Sequence, residues 1–130
     1  MLTSNQGKKL IGLARTSIEK AFEGEHLKTD DETREEFSEK RGVFVTLHKN
    51  KRLRGCIGYP MPILPLYEAV ISAAKSAAFQ DPRFSPLDKS KLPEVDIEIS
   101  VLSVPELIEV EHPKEYFEKI EDGESYIFIR

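Results

Sequence analysis

The sequence predicts a single domain that combines α-helices with a β-sheet, and three observations lead to this prediction. Apolar residues recur at helical spacing near the start of the chain. Two apolar runs flank a short polar turn in the middle, and a later run alternates apolar with polar residues. A chain of 130 residues that is 39% hydrophobic can bury one core. We therefore expect residues 1–130 to form one domain.

The composition narrows the class of protein. The chain has 19 basic and 23 acidic residues and a net charge of −4, which argues against a protein that binds nucleic acid through clustered cations. One cysteine, Cys56, excludes an intramolecular disulfide and favours a cytoplasmic protein. The first residues lack the pattern of a signal peptide, and no apolar run reaches the roughly 20 residues of a membrane span. We expect a soluble cytoplasmic protein without a membrane partner.

The first element is a predicted helix that begins near Ser4 and ends near Phe22. Ser4 is a suitable N-cap and Gly24 a suitable stop, and the apolar positions share one helical face: Leu10, Ile11, Ala14, Ile18 and Phe22. The segment Glu25–Lys40 is dense in charged residues. We expect it to be a solvated loop with room for a short helical turn.

The central segment predicts a β-hairpin with strands at Val43–His48 and Leu53–Tyr59 and a polar turn at Lys49–Arg52. A loop of two or four residues would place Val45 opposite Cys56. Because side chains alternate in direction along a strand, Arg54, Cys56 and Val45 would then share one face, with His48 on the other. Both faces would be largely apolar, which favours a hairpin covered on both sides.

A second helix is predicted at Leu66–Gln80, after three prolines that keep the chain extended. A stripe of small residues, Ala69, Ala73 and Ala77, would let this helix lie close to a sheet. Residues 94–104 alternate as a strand does, with Glu98 on its polar face. A short helix at His112–Ile120 and a strand at Tyr126–Ile129 complete the prediction. The sequence stops inside that last strand, so we expect the natural protein to continue.

The first candidate site is the run Arg54-Gly55-Cys56-Ile57-Gly58. Two glycines inside a strand indicate a bulge or a close approach by a ligand or another backbone. Arg54 lies two residues from Cys56, and a neighbouring cation is one way to stabilise a thiolate. The alternative is a structural cysteine in a glycine-kinked strand, with Arg54 reaching to water.

A nucleophilic cysteine needs a base, and the predicted pairing does not supply one. His48 would lie on the opposite face of the hairpin unless a bulge or an odd loop changed the parity, and His26 and His112 are distant in sequence. The histidines and the cysteine also lack the spacing of metal ligands. We interpret the basic tip of the hairpin, from Lys49 to Arg54, as an exposed turn. The less favoured alternative is a patch that contacts phosphate.

A second candidate cluster, Asp81, Arg83 and Phe84, follows the second helix. A carboxylate at the C-terminal end of a helix meets an unfavourable dipole, so Asp81 needs a partner. One interpretation is turn chemistry, with Arg83 paired locally and Phe84 in the core. The other interpretation is a polar pair that lines the same cleft as Arg54 and Cys56.

The stretch Leu53-Arg54-Gly55-Cys56-Ile57-Gly58 resembles the hallmark of the AMMECR domain family. Three further segments resemble the family in the same order: Gly42–Leu47, Ala77–Leu87 and Ile97–Ser103. The likeness runs from Leu10 to the end of the chain. Family members carry a further C-terminal part that this chain lacks.

The resemblance implies an α+β fold of two subdomains, with a mainly antiparallel sheet, flanking helices and the cysteine motif near a cleft. It implies no established activity or cofactor. It suggests Memo-like and radical SAM proteins as partners, or a role in basic nucleic-acid machinery. We take Cys56 and Arg54 as candidate catalytic residues without a metal, and leave open whether the protein is an enzyme. The candidate ligand-binding residues are Gly55, Ile57, Gly58, Asp81, Arg83 and Phe84.

Overall fold

A computed structural model describes residues 2–102 and 126–129 of the chain. Its helices are α1 (Ser4–Phe22), α2 (Asp31–Glu36), α3 (Leu66–Phe79) and a 3-10 helix (Lys89–Glu94), and its strands are β1 (Val43–Lys49), β2 (Arg52–Tyr59), β3 (Val95–Val101) and β4 (Tyr126–Ile129). The strands form one sheet in the order β2-β1-β3-β4, and every neighbouring pair is antiparallel. The predicted α+β class is therefore confirmed.

Helix α1 begins with a capping box one residue earlier than the sequence suggested. The Thr3 side chain accepts a hydrogen bond from the Gln6 amide at 3.1 Å, and the Gln6 side chain accepts one from the Thr3 amide at 2.9 Å. Thr3 is the N-cap instead of Ser4 because only Thr3 has a glutamine three residues later. Gly24, with φ of +72°, follows the end of the helix as predicted.

Helices α1 and α3 pack on the same face of the sheet. The side chains of β1 and β3 on that face are fully buried, namely Val43, Val45, Leu47, Ile97, Ile99 and Val101. The predicted stripe Ala69, Ala73 and Ala77 is buried and lets α3 lie close to the strands. A Cβ atom on Gly55 would overlap the Ala77 carbonyl oxygen, so the α3 backbone rests directly on β2 at this point.

The other face of the sheet is only partly buried. Phe44, Thr46 and His48 of β1 all retain some exposure there, whereas the residues between them have none. Among the strands that the structure describes, β2 lies at the edge of the sheet, since only β1 pairs with it. The predicted hairpin with two covered faces is therefore wrong among the described residues. The position of a strand within a sheet depends on distant segments, so the alternation within the hairpin could not reveal that β2 lies at the edge.

A bulge next to the turn changes the register of the hairpin. Asn50 and Lys51 form a two-residue turn with φ of 53° and 62°, and Lys49 pairs with Arg52. His48 pairs next with Leu53, but the following residue, Leu47, pairs with Gly55, so Arg54 is an extra residue. Cys56 consequently pairs with Thr46, and the predicted pairing with Val45 is wrong. One inserted residue turns every later side chain to the opposite face.

The remaining predictions have mixed outcomes. The charged segment contains the short helix α2, and Tyr126–Ile129 is the predicted strand. The predicted helix at His112–Ile120 lies outside the described residues. Within the part of the chain that the structure describes, no helix has the length and apolar character needed to cross a bilayer.

Candidate functional site

Cys56 lies on the partly exposed face of the sheet, beside a threonine that the sequence did not single out. Thr46 opposes Cys56 across the hairpin, and the distance between Thr46 Oγ1 and Cys56 Sγ is 3.2 Å. On its other side Thr46 pairs with Glu98 of β3. Cys56, Thr46 and Glu98 therefore form one row across three strands. His48 lies on the same face of β1 as Thr46, so the bulge removes the predicted separation of His48 from Cys56.

Asp81 holds the backbone of Cys56 at the outer edge of β2. Its side chain is only 2% exposed, and Oδ2 accepts a hydrogen bond from the Cys56 amide at 3.0 Å. Arg83 binds the same carboxylate through Nε at 3.0 Å and Nη2 at 2.7 Å, and its Nη2 also lies 3.5 Å from the Cys56 carbonyl oxygen. The pair thus bonds both outward-facing backbone groups of Cys56. It takes the place of a neighbouring strand at this residue.

The contact between Asp81 and Arg83 keeps both side chains ionised, because it shifts the pKa of each. The hydrogen bond from the Arg83 side chain, followed by that from the Cys56 amide, holds the pKa of Asp81 well below its usual range. The same hydrogen bond to Asp81 raises the pKa of Arg83. Asp81 therefore has the partner that its position after a helix required. Since Asp81 also binds the Cys56 backbone, the pair is joined to the cysteine motif as well as to its own turn.

Arg54 contacts the segment that follows α3. Its Nη2 donates a hydrogen bond to the Ser85 carbonyl oxygen at 2.7 Å, and its guanidinium carbon lies 5.6 Å from the centre of the Phe84 ring. The Arg83 guanidinium lies 5.5 Å from the same ring. Both distances suit cation–π contacts. Two arginines therefore meet at one aromatic side chain beside the cysteine motif.

One nitrogen of Arg54 has no acceptor. Nη1 is buried and makes no hydrogen bond to any residue that the structure describes. A buried donor without an acceptor is costly, and guanidinium hydrogens are strong donors. The described contacts of Arg54 are with Ser85 and Phe84, so its predicted effect on the Cys56 thiolate stays a prediction.

The other motif residues face in different directions. Gly55 faces α3, as described above. A Cβ atom on Gly58 would lie 2.5 Å from the Val43 carbonyl oxygen and would overlap the Phe44 ring. Ile57 pairs with Val45 and packs against the core. Both glycines are therefore required by close packing, and Ile57 lies on the opposite face of the sheet from Cys56.

Sequence reasoning named most of the residues that meet here, but it missed Thr46 and Ser85. Thr46 was detectable only if the bulge had been placed, since its position opposite Cys56 depends on the register. Ser85 contributes a backbone carbonyl, which has no signature in the sequence. Of the other histidines, His26 Nδ1 lies 3.3 Å from Lys75 Nζ, and His112 lies outside the described residues. No described imidazole is hydrogen-bonded to Cys56.

The fold and site define an α+β domain whose edge strand carries a glycine-flanked cysteine, fastened by an aspartate–arginine pair from the turn after a helix. The chain belongs to the AMMECR1 family, whose model matches residues 11–130. The predicted resemblance is thereby confirmed.

Similar proteins occur in archaea. Protein MK0488 of Methanopyrus kandleri is 48% identical over 99% of this chain, and protein MJ0810 of Methanocaldococcus jannaschii is 46% identical over 99%. The chain covers 64% and 65% of these two relatives. The crystal structure of uncharacterized protein PH0010 from Pyrococcus horikoshii matches with a TM-score of 0.76 and 44% identity, over 90% of this chain and 60% of that one. The chain thus spans about two-thirds of the length of its relatives.

Proposed function

We propose that this domain binds a small anionic ligand at Arg54, beside Phe84 and Cys56. The observation that carries the proposal is the buried Nη1 of Arg54, which has no acceptor among the described residues. Nη1 is covered in this conformation, so a ligand would reach it after a movement of the Arg54 side chain, and a carboxylate or phosphate oxygen would then accept a charge-assisted hydrogen bond from it. The ligand would turn an unfavourable feature of the free protein into a favourable contact.

The surroundings of Arg54 support an anion as the ligand. Arg83 places a second guanidinium at the same ring, and its side chain is 55% exposed, but its charge is balanced by Asp81. Because Asp81 and Arg83 balance each other, Arg54 supplies the net positive charge that attracts an anion to this cluster. Phe84 offers an apolar surface for the body of the ligand.

Cys56 serves in this proposal as a contact at the side of the ligand. The described neighbour of its sulfur is the Thr46 hydroxyl, which is not a general base at neutral pH. Binding is therefore better supported than thiol catalysis. The catalytic version makes its own prediction: Cys56 would react faster than a free thiol near neutral pH, and Arg54→Ala would slow it.

The sole cysteine allows a direct test of the binding site. We expect inorganic phosphate or acetate, titrated at constant ionic strength, to raise the melting temperature and to slow the reaction of Cys56 with a disulfide reagent. Both effects should disappear in Arg54→Ala. Arg54→Lys should weaken them, because an ammonium group lacks the planar fork of a guanidinium.

Arg52→Ala is the matched control, since Arg52 is an exposed arginine on the same strand. It should respond to the anions as the unaltered protein does. An equal response in Arg54→Ala, or none from either anion in the unaltered protein, would refute the proposal. A difference between phosphate and acetate would identify which kind of anionic group the site prefers.

Binding to a Memo-like or radical SAM protein, which the family resemblance implies, stays a prediction. Retention of such a partner by Cys56→Ser in a pull-down would favour a binding role of the domain over thiol chemistry.

A further inference from the structure

A groove lies between helix α3 and the segment after α1, away from the cysteine motif. Its volume is about 780 Å³, within the range of sites that accept several side chains. Its apolar wall consists of Leu27, Leu64, Tyr67 and Ile71. We call it the α3 groove.

The apolar wall of the α3 groove adjoins the core, since Leu64 and Tyr67 pack against the edge of the core and also line the groove. Helix α3 buries its alanine stripe against the sheet, whereas Tyr67 and Ile71 are only partly buried and point into the groove. Within α3, Tyr67, Ile71 and Lys75 follow one another at intervals of four residues and therefore form one line along the outer side of the helix. Leu64 precedes the helix and lines the same groove.

The chain that leads into the groove carries two exposed apolar side chains. Met61 is 57% exposed and Ile63 is 69% exposed, and Ile63 directly precedes Leu64 of the groove. Prolines at positions 60, 62 and 65 restrict this segment. The Glu39 carbonyl also accepts a hydrogen bond from the Leu66 amide at 2.9 Å, which fastens the end of the segment. An exposed apolar surface on a restrained backbone is suited to binding, since little entropy is lost on contact.

The charges around the groove are mainly positive, although the whole chain carries −4. Lys28, Arg34 and Lys75 line it together with a single carboxylate from Glu68 among its described lining residues. Arg34 is already paired with Asp31, so Lys28 and Lys75 provide most of the attraction. An acidic partner complements this surface, and a basic one does not.

We infer that the α3 groove docks an amphipathic helix of another protein, with acidic residues beside its apolar stripe. The line from Tyr67 to Lys75 spans about two turns of α3 and offers successive contacts to an incoming helix, whose own anchors would lie at i, i+3 or i+4 and i+7. Lys28 and Lys75 meet the acidic residues of the incoming helix. The apolar wall favours a polypeptide over a nucleic acid, whose phosphates would gain nothing from Tyr67 and Ile71.

The test is selection of peptides from a phage-displayed library of random 16-residue sequences on the 130-residue protein. Enriched peptides should carry net negative charge and apolar residues at helical spacing. Measured by fluorescence anisotropy as synthetic peptides, they should lose about tenfold in affinity for Ile71→Glu and for Lys75→Glu. Peptides with lysine in place of glutamate should recover binding to Lys75→Glu.

Two controls carry the same chemical changes elsewhere. Leu53→Glu alters an exposed leucine of β2, and Lys8→Glu alters an exposed lysine of α1. Neither should change the affinity. If Ile71→Glu does not fold, Lys75→Glu still tests the groove, because it changes the charge of a side chain that is already polar. No enriched peptide, or peptides that ignore both groove variants, would overturn the inference. So would tighter, Lys75-dependent binding of a labelled single-stranded oligonucleotide, which would make the groove a nucleic-acid contact.

Discussion

The two faces of strand β2 differ in what holds them. On the inner face, the backbone of α3 lies directly on Gly55 and the contact is apolar and close. At the outer edge and the open face, Cys56 donates a hydrogen bond to Asp81 from its amide, shares one with the Thr46 hydroxyl, and accepts one from Arg83 at 3.5 Å. Two adjacent residues of one short motif therefore have different surroundings. Close packing requires a glycine at position 55, whereas polar groups surround Cys56.

The bulge at Arg54 makes this division possible. It leaves Gly55 facing α3 and turns Cys56 towards Thr46, and the inserted arginine reaches the chain after α3. Bulges often re-aim side chains beside functional sites. The comparison predicts that substitutions at adjacent positions in this motif will have very different effects on stability.

The largest effect should come from Gly55→Ala. Its Cβ would overlap a backbone carbonyl of α3, which has no rotamer with which to yield. We expect the free energy of unfolding to fall by about 3 kcal/mol, at the upper end of the usual cost of overpacking. Urea denaturation of the two proteins measures this difference.

The control is Gly12→Ala on α1, where an added Cβ meets nothing within 4 Å. That substitution should raise the free energy of unfolding by about 0.5–1 kcal/mol, because alanine is the better helix former. Equal stabilities for Gly55→Ala and the unaltered protein would mean that α3 does not rest on β2 as described.

An intermediate effect is expected for Asp81→Asn. The amide keeps the shape of the side chain but loses the charge and one acceptor, so the bonds to Arg83 and the Cys56 amide cannot all remain. We expect the melting temperature at pH 7 to fall by several degrees. Cys56 should also react faster with a thiol reagent, since its strand is less firmly held.

The effect of Asp81→Asn should depend on pH. Because Arg83 lowers the pKa of Asp81 in the folded protein, the carboxylate contributes stability above the pKa of an unfolded aspartate, about 3.9. That contribution is lost as the pH falls through the lower pKa of the folded state. The difference in urea midpoint between the two proteins should be constant from about pH 7 to pH 5 and shrink below about pH 4.

Asp96→Asn, at an exposed position of β3, controls for general acid effects and should show no such shrinking. A difference between unaltered and Asp81→Asn proteins that grows on acidification would contradict the assigned contact.

The smallest effect should come from Arg54→Ala, next to the glycine with the largest. The substitution loses the bond to Ser85 and the contact with Phe84, but it also removes a buried donor without an acceptor. These terms oppose each other, so we expect the free energy of unfolding to change by less than about 1 kcal/mol. Urea denaturation without added anions measures it. A loss as large as that of Gly55→Ala would show that Arg54 is structural and would weaken the proposal of a ligand site.

Several features could be predicted because they depend on neighbours in sequence. The apolar spacing of α1, the stop at Gly24, the alanine stripe of α3 and the alternation in β3 are local patterns, and the structure contains all of them. Asp81 was expected to need a partner, since a carboxylate after a helix is unfavourable there.

Other features depended on contacts between distant segments. Whether Thr46 or Val45 opposes Cys56 changes with one inserted residue, and alternation cannot locate that residue. The position of β2 at the edge of the sheet depends on β3 pairing with β1, about 50 residues further along the chain. The hydrogen bond from the Cys56 amide to Asp81 follows from that edge position.

The sequence by itself determined where α1, α3 and the strands form, because periodicity and capping act over a few residues. It also determined the family, through the run from Leu53 to Gly58. Only the tertiary structure decided which face each motif residue occupies and which groups surround Cys56. Strand order, register and the approach of the turn after α3 are settled by the packing of the whole domain, where a single residue of offset exchanges the inner face for the outer one.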